Sequence, residues 1–359
     1  MESSNRIKAL IVDDSPLVRD VLSDILSGDT GIEVVGSAAD PYDAVKLIQN
    51  CIPDVITLDI EMPRMDGITF LRKIMRQHPI PVIVISSHTS GNQQLALQAY
   101  ENGALYVLNK PKTEDRKSFE EYTSRFREVV KMAAKHSSLQ KKNLKIMQFH
   151  SDEEISRNLK RFLSLFKQAP SVIAIGASAG GTIAIQTILT SIKGTPPPIV
   201  ITQHMPAGFT KEFAKRLNQL SNLNVIESQG GEFLVPGGVY VAPGDKHMTI
   251  QNSHQRLKTM VYEGSLVNHH RPAVEILFNS VNQCCSHRAV AFLLTGMGRD
   301  GAHGLLKIKN NGGITFAQDK NSSLVYGMPG EAMRLGAACS DIPLDHIGPL
   351  ITSFANLDN

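Results

Sequence analysis

Short apolar runs that end at a polar residue recur along this chain, with helix-like stretches between them. In the first third, these runs occupy residues 9–12, 55–58, 81–85 and 105–108. Alternation of buried strands with helices is typical of βαβ units, in which neighbouring strands are parallel. The pattern therefore predicts an α/β fold with a parallel sheet for this part of the chain.

A second series of apolar runs covers residues 171–175, 199–201 and 289–294, which predicts a second α/β domain. A chain of 359 residues is also longer than one domain usually needs. Between the two series, residues 112–169 carry many charges and no strand-like run, and they read as a helical linker. An amphipathic helix is expected there because a capping box begins at Ser151 and apolar residues follow at helical spacing. Those residues are Ile155, Leu159, Phe162, Leu163 and Phe166.

Charge, hydropathy and cysteine content restrict the class of protein. The formal net charge of +3 is too small to indicate a nucleic-acid surface or a polybasic membrane patch. We find neither a signal-peptide core at the N-terminus nor 18 consecutive apolar residues, so we expect a soluble, unsecreted chain. The four cysteines lack Cys-x-x-Cys spacing, which favours reduced thiols in the cytoplasm. Core packing explains the adjacent Cys284 and Cys285 better than redox chemistry does.

Polar side chains follow the apolar runs of the first series: Asp13 and Asp14, then Asp59, Ser86 and Lys110. The carboxyl ends of parallel strands meet at one edge of a sheet, where α/β proteins bind ligands. Three carboxylates there would repel one another unless a hard cation such as Mg²⁺ lay among them. A lysine and a hydroxyl complete an anion site, and phosphoryl transfer to Asp59 becomes possible. Singly, each aspartate would be a turn or helix-capping residue, but together they favour this site.

Residues 5–135 resemble the receiver domain of two-component response regulators, a flavodoxin-like, doubly wound parallel sheet. The motifs that carry the resemblance are Val12-Asp13-Asp14-Ser15, Leu58-Asp59-Ile60-Glu61-Met62-Pro63 and Lys110-Pro111. The resemblance implies that Asp59 is the phosphoacceptor. It also implies that Asp14, Asp59 and the backbone carbonyl of Glu61 hold Mg²⁺. Ser86 and Lys110 would contact the phosphoryl group.

Ser178 lies in a glycine-rich turn, residues 176–181, between a predicted strand and a predicted helix. A dinucleotide site would need an acidic residue about 20 positions later, but the next acid is Glu212. A nucleophile elbow is the second interpretation, because the turn reads Gly-x-Ser-x-Gly. His204 could then act as the base and Asp300 as its orienting carboxylate, since both follow strands at the same edge. The third interpretation, a helix cap, an ordinary histidine and a turn residue, does not explain that shared position.

The second half of the chain is similar to the CheB family of chemotaxis protein-glutamate methylesterases. The matching motifs are Gly176-Ala177-Ser178-Ala179-Gly180-Gly181, Gln203-His204-Met205-Pro206, His270-Arg271-Pro272, Gly296-Met297-Gly298-Arg299-Asp300-Gly301 and Tyr326-Gly327-Met328-Pro329. The resemblance implies Ser178 as nucleophile, His204 as general base and then acid, and Asp300 as orienting group. The Met297 backbone amide would stabilise the oxyanion.

The resemblance implies a mainly parallel methylesterase domain over residues 170–359, after a receiver at 1–135 and a helical linker at 136–169. The expected reaction is hydrolysis of glutamyl methyl esters on chemoreceptors, and deamidation of receptor glutamines, without a cofactor. A histidine kinase would phosphorylate Asp59 with Mg²⁺ bound, and the receiver would limit access to Ser178 until then. We expect no nucleic-acid partner and no membrane insertion.

Two departures and two alternatives accompany this interpretation. Val107 stands three positions before Lys110, where many receivers have an aromatic switch residue, and Ala179 follows the nucleophile where many family members have threonine. These departures leave open a catalytically silent protein that keeps the fold. A DNA-binding response regulator is the other alternative, but the chain lacks an evident helix-turn-helix and a strong basic excess.

Overall fold

A computed structural model describes residues 6–87, 92–111, 115–140, 150–354 and 357 of the chain. The chain forms two compact units, residues 1–144 and 145–359, and each is described by itself. Within the described ranges, no helix is both long and apolar enough to cross a membrane.

The first unit is a five-stranded parallel sheet with strand order β2-β1-β3-β4-β5. Its strands are β1 (Ile7–Val12), β2 (Ile32–Ala38), β3 (Val55–Asp59), β4 (Val82–Ser86) and β5 (Tyr106–Asn109). Its helices are α1 (Pro16–Ser27), α2 (Pro41–Asn50), α3 (Gly67–Gln77), α4 (Asn92–Glu101) and α5 (Arg116–Gln140). The doubly wound parallel sheet is confirmed.

The edge strand β2 was absent from the predicted runs. Its sequence is interrupted by Glu33 and Gly36, and most of its residues are only half-buried. A continuous apolar run is the signal of a strand that is buried on both faces, as β3 and β4 are here. A half-buried edge strand lacks that signal.

The second unit contains a seven-stranded sheet with order β14-β13-β12-β6-β7-β9-β8. Its strands are β6 (Val172–Ala177), β7 (Ile199–Gln203), β8 (Asn224–Glu227), β9 (Gly238–Val241), β12 (Ala289–Leu293), β13 (Ile314–Gln318) and β14 (Ser340–Ile342). Every neighbouring pair is parallel. A separate antiparallel hairpin joins β10 (His247–Ser253) to β11 (Arg256–Tyr262). The mainly parallel sheet is thus confirmed, and the hairpin is an addition that the sequence analysis did not foresee.

The unit also contains helices and one 3-10 turn at Ser286–Arg288, most of which lie between strands in the chain. The helices are α6 (Asp152–Leu163), α7 (Gly181–Ser191), α8 (Phe209–Leu220), α9 (Val274–Cys285), α10 (Ala302–Asn310), α11 (Met328–Arg334) and α12 (Leu344–Ser353). Cys285, at the end of α9, packs in the core, and burial raises the pKa of its thiol to about 12. Such a thiol stays protonated, which supports packing over redox chemistry for this residue.

Helix α6 is the amphipathic helix expected in the linker. It belongs to the second unit, and its apolar stripe packs within that unit. Ser151 and Glu154 form the predicted capping box. Phe162 is buried, with its ring edge against Phe316 at a centroid distance of 5.5 Å. The bounds of the three predicted segments, 1–135, 136–169 and 170–359, stay a prediction.

Candidate active site and candidate phosphorylation site

Ser178 stands in a sharp turn between β6 and α7, as a nucleophile elbow requires. Its amide donates to the Thr295 carbonyl at 3.0 Å, and its own carbonyl accepts from the amide of Gly181 at 2.8 Å. Between Ser178 and Gly181, Gly180 has a φ of 77°, in the left-handed region that favours glycine. The turn therefore fixes a serine with only 1% of its surface exposed at the start of a helix.

His204 directly follows β7, and its backbone amide donates to the carbonyl of Ala177, next to Ser178, at 3.1 Å. The imidazole is buried, and its Nε2 lies 2.8 Å from Oδ2 of Asp300. Nδ1 is also buried and has no hydrogen-bond partner among the residues that the structure describes. Since Nε2 donates its proton to the carboxylate, Nδ1 is the nitrogen with a free electron pair.

Asp300 lies after β12, and each of its oxygens meets two donors. Oδ2 faces His204 Nε2 and accepts the amide of Val274 at 2.6 Å. Oδ1 accepts the side-chain amide of Asn268 at 2.8 Å and the backbone amide of Glu275 at 3.2 Å. Burial opposes ionisation, but the hydrogen bond from His204, with the other donors, keeps the pKa of Asp300 below its usual value. Asp300 is thus held as a carboxylate.

The segment before Asp300 comes very close to the serine. A Cβ placed on Gly296 would lie 2.8 Å from the Cβ of Ser178 and 2.4 Å from Sδ of Met328. Only glycine allows this approach, which explains the glycine-rich sequence. Met297, whose amide is the predicted oxyanion donor, is the next residue and is buried.

The predicted residues of the first unit also meet at one sheet edge. Carboxylate oxygens of Asp13, Asp14 and Asp59 all lie within 4.8 Å of one another. Lys110 Nζ reaches Oδ2 of Asp13 at 3.0 Å and Oδ2 of Asp59 at 2.8 Å. Burial raises the pKa of Asp59 to about 6 against the opposing hydrogen bond from Lys110. Lys110 thus contacts two of the three carboxyl groups, and the surplus of oxygen donors suits a small hard cation such as Mg²⁺.

Ser86 and Glu61 complete this edge. Ser86 is fully buried at the end of β4, and its carbonyl accepts the backbone amide of Lys110 at 2.9 Å. The Glu61 amide donates to Oδ1 of Asp59 at 3.3 Å, while its carboxylate accepts from the Ser87 hydroxyl at 3.0 Å. The role of the Glu61 carbonyl as a cation ligand stays a prediction.

Three sets of hydrogen-bond donors in the candidate active site were not predicted from the sequence. Asn268 and the first amides of α9 bind Asp300, and Gln203 Nε2 donates to the carbonyl of Ser178 at 2.9 Å and of His204 at 3.3 Å. Gln203 was visible as the polar end of a buried strand. Asn268 has no comparable signal, because a lone asparagine in a polar stretch reads as a turn residue.

Comparison with known proteins shows the family of this chain. The family described as CheB methylesterase matches residues 173–351, and the response regulator receiver domain matches residues 9–117. Protein-glutamate methylesterase/protein-glutamine glutaminase 4 of Anaeromyxobacter dehalogenans is 47% identical over 350 residues, covering 98% of this chain and 95% of that protein. The chain belongs to the CheB methylesterase family.

A further curated relative supports the same membership, and one solved structure is similar to part of the chain. The protein-glutamate methylesterase/protein-glutamine glutaminase of Hydrogenovibrio crunogenus is 41% identical over 365 residues, covering 96% of this chain and 97% of that protein. The crystal structure of the Thermotoga maritima CheB methylesterase catalytic domain is 36% identical, covering 51% of this chain and 98% of that one, with a TM-score of 0.49. This CheB family member therefore combines a receiver domain with a CheB methylesterase domain.

Proposed function

We propose that this protein hydrolyses glutamyl methyl esters on chemoreceptors, and deamidates receptor glutamines, through a Ser178–His204–Asp300 triad. The observation that carries the proposal is the buried pair of His204 Nε2 and Asp300 Oδ2 at 2.8 Å, at the sheet edge where Ser178 stands. Family membership supplies the substrate class, since the relatives are named protein-glutamate methylesterase/protein-glutamine glutaminase.

In the first step, the Ser178 hydroxyl attacks the ester carbonyl carbon while its proton moves to Nδ1 of His204. This nitrogen is the base because Asp300 already accepts the Nε2 proton. Asp300 holds the ring and stabilises the imidazolium that forms. The carbonyl oxygen becomes negative in the tetrahedral intermediate, and the Met297 amide donates to it.

Collapse of the intermediate releases methanol, which takes the proton from His204 Nδ1 and leaves an acyl ester on Ser178. Water then attacks this ester while His204 accepts its proton. The bond between the acyl group and Ser178 breaks, His204 returns the proton to the serine oxygen, and the receptor glutamate leaves as a carboxylic acid that loses its proton to water. A glutamine side chain would follow the same route with ammonia as the leaving group. These steps use only groups of the protein and water.

We further propose that phosphorylation of Asp59 by a histidine kinase in the cytoplasm raises the esterase rate. Asp13, Asp14, Asp59 and the Glu61 carbonyl would hold Mg²⁺, which neutralises phosphoryl charge when bound. Lys110 would pair with a phosphoryl oxygen, since its Nζ already lies 2.8 Å from Asp59 Oδ2, and Ser86 would contact another. The proximity of a lysine to the acceptor carboxylate supports this assignment.

The esterase proposal is tested by methanol release from methylated receptors with the full chain. We expect Ser178→Ala to lower kcat about 10⁴-fold or more, because the nucleophile is lost. Ser156→Ala is the matched control, since Ser156 is exposed on α6, and it should match wild type. A folded Ser178→Ala protein with wild-type turnover would refute the proposal, and it would leave a silent family member or another nucleophile.

A further inference from the structure

A tight turn at residues 267–270 carries two side chains that contact the proposed base, His204, and its orienting carboxylate, Asp300. We propose that Asn268 and His270 are positioning residues for the reaction: His270 supports the ring of His204, and Asn268 orients the carboxylate of Asp300. This inference rests on the proposed function, because the position of the pair matters only if His204 is the base.

His270 stacks face to face on His204. The ring centroids are 3.6 Å apart, the planes differ by 12°, and each of the two residues is 4% exposed. The hydrogen bond to Asp300 fixes the direction of Nε2 within the ring plane, while the stack fixes the plane itself. Together the two contacts leave Nδ1 in a single orientation, which is what proton transfer from Ser178 requires.

Asn268 acts on the other member of the pair. Its side-chain amide donates to Asp300 Oδ1 at 2.8 Å, so that Oδ2 stays directed at His204. Without this donor, Oδ1 would keep only the Glu275 amide at 3.2 Å. The carboxylate could then rotate away from the imidazole.

The turn is built to present these two side chains rigidly. Val267 and His270 exchange both backbone hydrogen bonds, at 3.0 and 2.9 Å, around the two residues between them. Asn268 and His269 have φ values of 51° and 66°, the positive values of a type I′ turn, and asparagine tolerates that region well. His269 is exposed, while its neighbour His270 is buried.

The charged and titratable groups in the surrounding segments have other partners. Arg271 donates to the Gly264 carbonyl at 2.6 Å, and His247 contacts the Ser265 carbonyl and the Ala273 amide. Glu275 accepts the Gly304 amide through its carboxylate. Asp300 therefore provides the charge that contacts His204, and removing a donor from Asp300 should alter the pH–rate profile of the enzyme.

The test measures kcat, KM and the pH–rate profile of methanol release for the full chain. We expect His270→Ala to lower kcat about 10–100-fold with little change in KM, because substrate binding is retained and alignment is lost. His270→Phe keeps a stacked ring, so it should recover most of kcat. The exposed neighbour provides the control, and His269→Asn should behave as wild type.

Asn268→Gly removes the amide and keeps a residue that tolerates positive φ. We expect kcat to fall about tenfold and the acid limb of the profile to move to higher pH, since a less neutralised carboxylate favours the imidazolium. A merely structural role would change thermal stability without moving this limb. If His270→Ala does not fold, Asn268→Gly and His270→Phe still decide the question.

Ser178→Ala is measured in the same series to separate the two proposals. If it is inactive while folded His270→Ala and Asn268→Gly have wild-type kcat and pH profiles, the turn is not a positioning element. If it stays active, the proposed function itself is wrong. Loss of kcat in His270→Ala with no recovery in His270→Phe would contradict the stacking role.

Discussion

The two candidate sites occupy the same place in their sheets and treat a buried carboxylate in opposite ways. At the receiver edge, burial raises the pKa of Asp59 to about 6, and neighbouring carboxylates compete for Lys110. At the esterase edge, four donors surround Asp300 and hold its pKa below the usual value. The receiver edge compensates the charge of its carboxylate only in part, whereas the esterase edge surrounds its carboxylate with donors.

This difference follows from the chemistry each site would perform. A phosphoacceptor must receive an anion, so its surplus carboxylates suit a site that a cation and a phosphoryl group complete. An orienting carboxylate must stay charged throughout turnover, so its donors belong to the protein and need no reorganisation. Two parallel sheets thus place one residue type in environments suited to two reactions.

Of the changes that test this comparison, removal of the Asp300 charge at the esterase edge should have the largest effect. In Asp300→Asn, one carboxylate oxygen becomes an NH2 group among four donors, and the negative charge that stabilises the imidazolium of His204 is lost. We expect kcat to fall about 10³–10⁴-fold, less than for Ser178→Ala. The exposed Asp341→Asn, measured by the same methanol assay, should match wild type, and a similar rate for Asp300→Asn would remove this carboxylate from the mechanism.

A smaller effect is expected at the receiver edge. With Mg²⁺ and a small phosphodonor such as acetyl phosphate, we expect the esterase rate of the full chain to rise about tenfold, as a shift of about 1.4 kcal/mol between two states would give. Asp59→Asn should not respond, because an amide cannot form the acyl phosphate. The exposed Asp20→Asn should respond as wild type does, and a response in Asp59→Asn would place the phosphoacceptor elsewhere.

Mg²⁺ binding can be measured without the esterase. We expect millimolar Mg²⁺ to raise the thermal midpoint of the receiver transition by a few degrees, since a ligand that binds only the folded state stabilises it by mass action. The shift should disappear in Asp13→Asn and persist in Asp20→Asn. An equal shift in all three proteins would indicate that the cation binds at another place.

The smallest effect concerns a third carboxylate, Asp345 at the start of α12. Burial opposes its charge, but hydrogen bonds from His346 and His150 lower its pKa to about 2. Because the pKa of Asp345 is lower in the folded state than in the unfolded state, its carboxylate stabilises the fold above about pH 4. This stabilisation is lost as the pH falls towards 2. We expect Asp345→Asn to cost about 1–2 kcal/mol in urea unfolding at pH 7 and less at pH 3. A pH-independent difference would contradict the role of the charge.

Most residues of both sites could be predicted because each follows a continuous apolar run. A buried parallel strand is recognisable as a continuous apolar run, and the residues after it lie at the sheet edge where the site forms. Asp59, Lys110, Ser178 and His204 were found in this way. A different signal, a capping box followed by an apolar stripe at helical spacing, predicted α6. Partly exposed elements outside this rule, such as the seven-residue strands β10 and β11, were missed.

What could not be predicted depends on tertiary contacts made by loops. The support of Asp300 comes from Asn268 and from the first amides of α9, and no local pattern links these groups to a residue more than 20 positions later. The stack of His270 on His204 is equally invisible, although the His270 motif was noticed. Side-chain partners across a loop are set by packing, which sequence spacing does not encode.

The central claim, covalent catalysis at Ser178, is tested most directly by trapping the acyl-enzyme. The full chain is mixed with a methylated receptor, quenched in acid during turnover, digested and analysed by mass spectrometry. We predict a glutamyl ester on the peptide that contains Ser178, absent in Ser178→Ala and retained in Ser156→Ala. Turnover with an adduct on another residue, or continued methanol release by Ser178→Ala, would contradict the account.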